Sequence, residues 1–301
     1  MKSGFVSILG RPNAGKSTLL NRLIGTKIAI VADKPQTTRT SIQGVLTLPE
    51  AQIVFLDTPG IHKADSLLNK RMMDTVRAAL EERDLLLFLV DVKRKFGLED
   101  RHAVDLVKKT GTPAMLVLNK VDLLGKDKGA VLPLIEQYRA LYEFAEYIPI
   151  SARSGAGVDE LRKAVVDRLP EGPAYFSADH ITDQPERFLA AEFIREKILQ
   201  ATREEIPHAV AVWVDSWEDT PTLIRIYATI HVDRGGQKGI IIGAGGSMLK
   251  HIGTLAREEM ERLFGRKIYL ELHVKAKPGW REKPDFLAAL DWRTMAGTDE
   301  N

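Results

Sequence analysis

Leu85 to Val90 is an unbroken run of six apolar residues, and Ile53 to Leu56 and Ala114 to Leu118 are apolar throughout as well. A strand with one wet face alternates apolar and polar residues; a strand buried on both faces need not. Runs of this length and continuity point to a parallel sheet covered on both sides by helices. Phe5 to Leu9 and Tyr147 to Ile150 read as two further strands, and segments such as Lys16 to Ile24, Leu67 to Glu82 and Asp159 to Arg168 have helix length. The expected architecture over residues 1–170 is an α/β, doubly wound, mostly parallel sheet, in which ligands sit beyond the carboxyl ends of the strands.

Leu169-Pro170-Glu171-Gly172-Pro173 breaks the last helical pattern, and the chain stays polar and turn-rich to Pro185, so residues 171–185 are the expected linker. Two domains also suit 301 residues at about 150 per domain. Residues 186–301 follow a different pattern. A helix from Glu186 to Glu204 carries a stripe of Leu189, Ala190, Phe193, Ile194 and Ile198. Two strands follow through Val210, Val212, Val214 and then Ile224, Ile226, Ala228, Ile230, Val232. A Gly-rich turn leads into a helix with Leu249, Ile252, Ala256, Met260 and Leu263 on one face, and a last strand alternates Ile268, Leu270, Leu272 and Val274 with polar residues. Such an α+β module has one covered sheet face.

Composition removes several classes of chemistry. There is no cysteine, which excludes disulfides, thiolate zinc sites and thiol nucleophiles. The longest apolar runs, six residues each, fall far short of the roughly 20 needed to span a bilayer. Met1-Lys2-Ser3-Gly4-Phe5 enters a strand directly, without the apolar region of a secretory signal. A soluble, cytoplasmic protein is expected.

Gly10-Arg11-Pro12-Asn13-Ala14-Gly15-Lys16-Ser17 fits G-x-x-x-x-G-K-[ST] between a strand and a helix that runs on through Thr18. Glycines let backbone N–H groups curl around an oxyanion, and the helix N-terminus adds positive potential. Lys16 can reach terminal phosphates and Ser17 can ligate Mg²⁺. Asp57-Thr58-Pro59-Gly60 ends the strand Ile53–Leu56; its carboxylate faces the loop as a further holder of Mg²⁺, and Gly60 can offer its N–H to a γ-phosphate. In Pro35-Gln36-Thr37-Thr38-Arg39 one threonine can complete the metal shell while the γ-phosphate is present, Thr38 being favoured over Thr37.

Asn119-Lys120-Val121-Asp122 follows the strand Ala114–Leu118. Asp122 can accept both the ring N–H and the exocyclic amine of guanine, whereas adenine would leave the carboxylate unpaired. Asn119 can join neighbouring loops, the Lys120 stem can cover the base, and Ser151-Ala152-Arg153 can turn the Ala152 N–H toward the guanine carbonyl. Ile61 stands where many GTPases place a water-orienting glutamine, so hydrolysis must be slow or completed by backbone, a cation or a partner. Asn13 has a carbonyl suited to K⁺ bridging the phosphates. Arg11 and Arg39 are possible charge compensators, the plainer reading of each being a solvated side chain.

Gly243-Ala244-Gly245-Gly246 is a G-x-x-G loop before an amphipathic helix. KH modules clamp about four nucleotides with such a loop. From Arg234 to Lys283 there are 11 Lys and Arg against five Asp and Glu, in a chain whose total charge is +2. Lys250, Lys275, Lys277 and Arg281 are the candidate phosphate contacts, and Tyr269 and Trp280 could stack on bases, partial burial being the more usual role of each. His251 and His273 have no metal-binding spacing and read as surface or groove residues. The alternative function is a signalling or scaffold protein whose KH-like domain contacts protein.

Together these residues resemble the Era-type bacterial GTPases, a Ras-like G domain followed by a type II KH domain. The resemblance rests on the motifs at 10–17, 36–39, 57–60, 119–122 and 241–246 and on Leu-x-Val-Lys-x-Lys-x-Gly-Trp at 272–280. It implies a P-loop GTPase switch with fast exchange that hydrolyses GTP with Mg²⁺ and responds to K⁺. It also implies binding to 16S rRNA near its 3′ end, with no DNA partner, a role in 30S ribosomal subunit maturation, and partial residence at the inner face of the cell membrane. One departure stands out: the variable loop positions, often basic in the family, are Ala244 and Gly245 here.

Overall fold

The computed structural model describes residues 1–61, 65–125 and 128–292. It divides into two compact units. The first comprises Met1–Ala29, Thr38–Asp65 and Asn69–Asp183; the second comprises Ile30–Thr37, Ser66–Leu68 and Gln184–Asn301.

In chain order up to residue 168 the elements are β1 (Lys2–Gly10), α1 (Lys16–Ile24), β2 (Ile42–Thr47), β3 (Ala51–Asp57), α2 (Leu67–Ala78), β4 (Leu85–Asp91), α3 (Leu98–Lys108), β5 (Ala114–Asn119), α4 (Leu132–Arg139), β6 (Glu146–Pro149) and α5 (Val158–Arg168). The six strands form one sheet in the order β2-β3-β1-β4-β5-β6, parallel except for β2 against β3. All residues of β5 and Leu85 to Val90 of β4 are buried, as strands covered on both faces must be. Register decides function here. Ile8 pairs with Asp57, Gly10 with Leu89 and Asp91 with Asn119, so the residues that follow β1, β3 and β5 emerge at one edge of the sheet.

Two boundaries differ from expectation. α2 stops at Ala78, because Leu80 and Glu81 donate to carbonyls three residues back and tighten the chain into turns before Glu82 takes φ 52°. β2 leaves no apolar run in the sequence, because it is a half-buried edge strand whose polar Gln43 and small Gly44 interrupt one.

The second unit contains α6 (Glu186–Ala201), α7 (Ile206–Ala209), β7 (Val210–Asp219), β8 (Leu223–Val232), α8 (Gly235–Ile242), α9 (Ser247–Phe264), β9 (Lys267–Ala276) and α10 (Pro284–Ala289). β8 is central, antiparallel to β7 and parallel to β9, with a bulge between Val214 and Ser216. Ile224, Ile226, Ala228, Ile230 and Val232 are fully buried, as period-two alternation requires. Ile252, Ala256 and Met260, four residues apart on α9, are fully buried too, and α9 packs against α6 and β9. α6 is buried around most of its circumference, including Arg195, Glu196 and Lys197. Lys197 Nζ lies 2.7 Å from Glu196 and 2.8 Å from Glu259 on α9, so the buried charges are paired. α6 ends before the expected Glu204, where Thr202 turns extended and returns its N–H and hydroxyl to the Ile198 carbonyl.

Candidate functional site

β1 ends at Gly10 and α1 begins at Lys16, so residues 11–15 form the loop between them. Gly15, at φ 99°, precedes α1 without a side-chain cap, which leaves the helix N–H groups to a ligand. Lys16 Nζ folds back on the carbonyls of Gly10 (3.3 Å) and Arg11 (3.1 Å). Ser17 Oγ is 2.8 Å from Thr38 Oγ1 and donates to Asp57 Oδ2 at 2.6 Å, while Thr38 Oγ1 donates to the same oxygen at 3.4 Å. The three expected metal holders thus converge.

Asp57 is fully buried, and its Oδ1 has no hydrogen-bond partner among the described residues. An orphaned buried carboxylate oxygen beside two hydroxyls is a fitting oxygen donor set for Mg²⁺. Burial pushes the Asp57 carboxyl up to about 6, against the opposing Lys16 charge and the Ser17 and Thr38 hydroxyls. Burial likewise pulls the Lys16 ammonium down to about 8, with Asp57 opposing. A phosphate group beside Lys16 and a divalent ion beside Asp57 would stabilise both charges. Protons must then compete with Mg²⁺ at Asp57. Mg²⁺ affinity, titrated with GDP present, should be level above pH 7 and fall toward a limit of about tenfold per pH unit below pH 6.

Gly60 lies against the phosphate loop: a Cβ there would sit 2.7 Å from Pro12 Cα, Cγ and N. Ile61 donates its N–H to the Gly10 carbonyl at 3.1 Å, and the Thr58 hydroxyl donates to that of Ile8 at 2.9 Å, with Pro59 between. At the base end, Asn119 Nδ2 donates to Ala14 O (2.8 Å), and its Oδ1 accepts from Lys120 N (2.8 Å) and Ala152 N (2.9 Å). Asn119 therefore joins the phosphate loop to the Ser151–Arg153 loop. The expected Ala152 donor is engaged by Asn119 in this structure. Lys120 Nζ reaches Asn13 O and Asp91, both at 2.8 Å, and Val121 and Asp122 begin a short turn with Asp122 exposed.

Arg11 overturns its solvated reading. Its side chain is 16% exposed and pairs with Asp100 at 2.9 Å and with Glu99, so it is not available as a free charge compensator. Arg39 is likewise half-buried rather than solvated. In the second unit, Val31 N donates to Glu196 at 2.8 Å, and Arg195 donates to the carbonyls of Gln36 (3.4 Å) and Thr37. The polar stretch before Thr38 is therefore held from α6. Asp91, Asp100 and Arg22, which donates to the carbonyls of Ala152 and Arg153, were missed. Asp91 carried a signal, since it ends a continuous apolar run as Asp57 does.

In the second unit Gly243, Gly245 and Gly246 all have positive φ, at 72°, 57° and 80°, so the hairpin between α8 and α9 uses the left-handed region that glycine tolerates. Ala244, Gly245, Lys250 and Lys275 are exposed. Lys277 sits 4.2 Å over the Phe286 ring, and Arg281 pairs with Asp233 at 3.1 Å. Trp280 is not a stacking platform: it is fully buried and donates its indole N–H to Ala209 O at 2.9 Å. Tyr269 is 46% exposed, and His251 and His273 are exposed. Among the described residues no group of three or more His, Asp or Glu is placed to hold a metal.

A family model described as 50S ribosome-binding GTPase matches residues 5–120, and one described as KH domain matches residues 205–281. GTPase Era of Geobacter metallireducens is 52% identical, covering 97% of this chain and 98% of its own. That of Staphylococcus haemolyticus is 50% identical, covering 97% of each. The chain belongs to the Era GTPase family. Family membership makes it a GTPase, with the loop at 10–17 in the strand-to-helix setting that phosphate binding requires. Two solved Era structures superpose over 97% of this chain and 99% of theirs with TM-scores of 0.93. One, from Aquifex aeolicus, is a variant bound to GDP·AlF4⁻ at 44% identity. The other, at 43% identity, is Era in complex with MgGDPNP and nucleotides 1506–1542 of 16S ribosomal RNA.

Proposed function

We propose that this chain is a fast-exchanging GTP/GDP switch whose C-terminal module binds 16S rRNA near its 3′ end during 30S subunit maturation. Residues 1–170 act as the G domain and 186–301 as the RNA-binding domain, joined by 171–185; residues 293–301 lie outside the described residues. The observation that carries this reading is the full-length likeness to the Era that holds both a GTP analogue with Mg²⁺ and that RNA segment. Lys16 and the loop N–H groups bind phosphates, Ser17, Thr38 and Asp57 hold Mg²⁺, and Gly60 offers its N–H to the γ-phosphate. When bound, Mg²⁺ offsets charge developing on the transferred group. Ile61 has no group to orient water, so backbone, K⁺ or a partner completes the step. Asn13, exposed and at φ 64° in the loop, is the proposed K⁺ ligand. Turnover in K⁺ should exceed turnover in Na⁺ at equal ionic strength, and Asn13→Ala should erase that difference.

Gly243 to Gly246 would grip the RNA backbone, with Lys250, Lys275, Lys277 and Arg281 at phosphates. Binding of a 16S 3′-end fragment, titrated across a salt series with a GTP analogue or GDP, tests the reading. Lys250→Ala and Lys275→Ala should each reduce the slope of log affinity against log salt by about 0.7. Absence of RNA binding in dilute buffer would overturn the reading and favour the protein-contacting scaffold. We place the protein in the cytoplasm, with a fraction at the inner face of the membrane. No helix among the described residues is long and apolar enough to cross a membrane.

A further inference from the structure

Arg11 contributes two groups to the phosphate loop. Its carbonyl accepts from Lys16 Nζ at 3.1 Å, and its guanidinium is anchored on α3. The anchor is Asp100, in the first turn of α3 and 4% exposed. Its Oδ2 accepts from Arg11 Nη1 and from Gly97 N, both at 2.9 Å, and its Oδ1 accepts from the Tyr138 hydroxyl at 2.7 Å. Tyr138, on α4, is 1% exposed. Burial, reinforced by the Asp100 carboxylate, pushes its phenol well above the usual range, so it remains a donor. Glu99, 65% exposed, takes the second arm of Arg11. A cavity of about 10 Å³ behind the loop is lined by Arg11, Ala14, Arg94, Asp100 and Tyr138, among others. Arg94 and Lys120 also hold loop carbonyls, those of Pro12 and Asn13, Arg94 from an exposed position and Lys120 from a half-buried one. The Arg11–Asp100 pair is the better shielded tie, where a charge-assisted hydrogen bond is least weakened by solvent.

We propose that Asp100 is a positioning residue for the nucleotide site: through Arg11 it holds the phosphate loop in the conformation that retains guanine nucleotide. This rests on the guanine-nucleotide reading above. The N-terminus of α3 therefore controls how fast nucleotide leaves, although it contacts no part of it.

The test is release of a fluorescent GDP from the full chain, followed by stopped flow, with melting temperature measured alongside. Asp100→Asn places an amide among three donors and should speed release about tenfold, the worth of one charge-assisted hydrogen bond. Arg11→Gln attacks the tie from its other end and should do the same. The double variant should release GDP no faster than the faster single variant, because both remove one interaction. Tyr138→Phe removes a hydrogen bond from the same carboxylate but spares the ion pair; it should lower the melting temperature and leave release within twofold of the parent. Additive effects in the double variant would overturn the proposal, as would release accelerated equally by Tyr138→Phe or unchanged in both Asp100→Asn and Arg11→Gln. Failure of the parent chain to bind the fluorescent GDP would instead count against the nucleotide reading itself.

Discussion

Exchanging Asp122 for asparagine should weaken GTP binding on the order of ten-thousandfold, the scale on which a site built around hydrogen-bond matching rejects a mismatched ligand. In the proposed site the carboxylate presents two acceptors to two guanine donors, whereas an amide would turn a donor toward one of them. A base with a carbonyl in place of the exocyclic amine restores the match, so xanthosine triphosphate should gain affinity in Asp122→Asn as GTP loses it. Competition among GTP, xanthosine triphosphate and ATP for the fluorescent nucleotide site measures this. Asp122 lies in an exposed turn, so the substitution should leave the melting temperature of the nucleotide-free chain nearly unchanged. Unaltered GTP affinity would remove Asp122 from base recognition.

The second large effect should come from Gly60→Ala. The added carbon would sit 2.7 Å from Pro12 Cα, Cγ and N, and neither a proline ring nor a main chain can rotate away. The segment after β3 must then withdraw from the phosphate loop, taking the Gly60 N–H from the γ-phosphate it is proposed to hold. A misplacement of that order costs about a hundredfold in rate. Single-turnover GTP hydrolysis should fall by that factor, whereas GDP, which lacks the γ-phosphate, should bind within a few-fold of the parent. Equal losses for GDP and GTP would mean that the loop itself had been distorted.

Much of the proposed nucleotide site is legible because phosphate and guanine chemistry fix residue types at fixed places along the chain. Gly10–Ser17, Asp57–Gly60 and Asn119–Asp122 follow buried strands, Ser151–Arg153 follows the only partly buried β6, and parallel register brings all four to one edge. The supports of the site were not legible. Arg11 and Asp100 are 89 positions apart, and nothing in either segment names the other. The sequence of α6 shows one apolar stripe, yet Arg195, Glu196 and Lys197 are buried as well, because each meets an opposite charge or a backbone group that only tertiary structure supplies. Trp280 takes the more usual of its two expected roles, burial, and goes further than expected because its indole finds the Ala209 carbonyl, a partner that no sequence signal names.

The outer margin of the first sheet has a practical consequence. Val45 of β2 donates its N–H to the Ile181 carbonyl, Thr182 donates its hydroxyl to the Gln43 carbonyl, and the Gln52 amide exchanges hydrogen bonds with Tyr175 and Phe176. Residues 175–182 thus serve as a selvage on the fabric of the sheet. A fragment trimmed at 170 would lose this border and bare the Val45 N–H and the Gln43 carbonyl on an open strand edge to its neighbours in solution, inviting strand-to-strand clumping. Trimming after 183 keeps the hem intact.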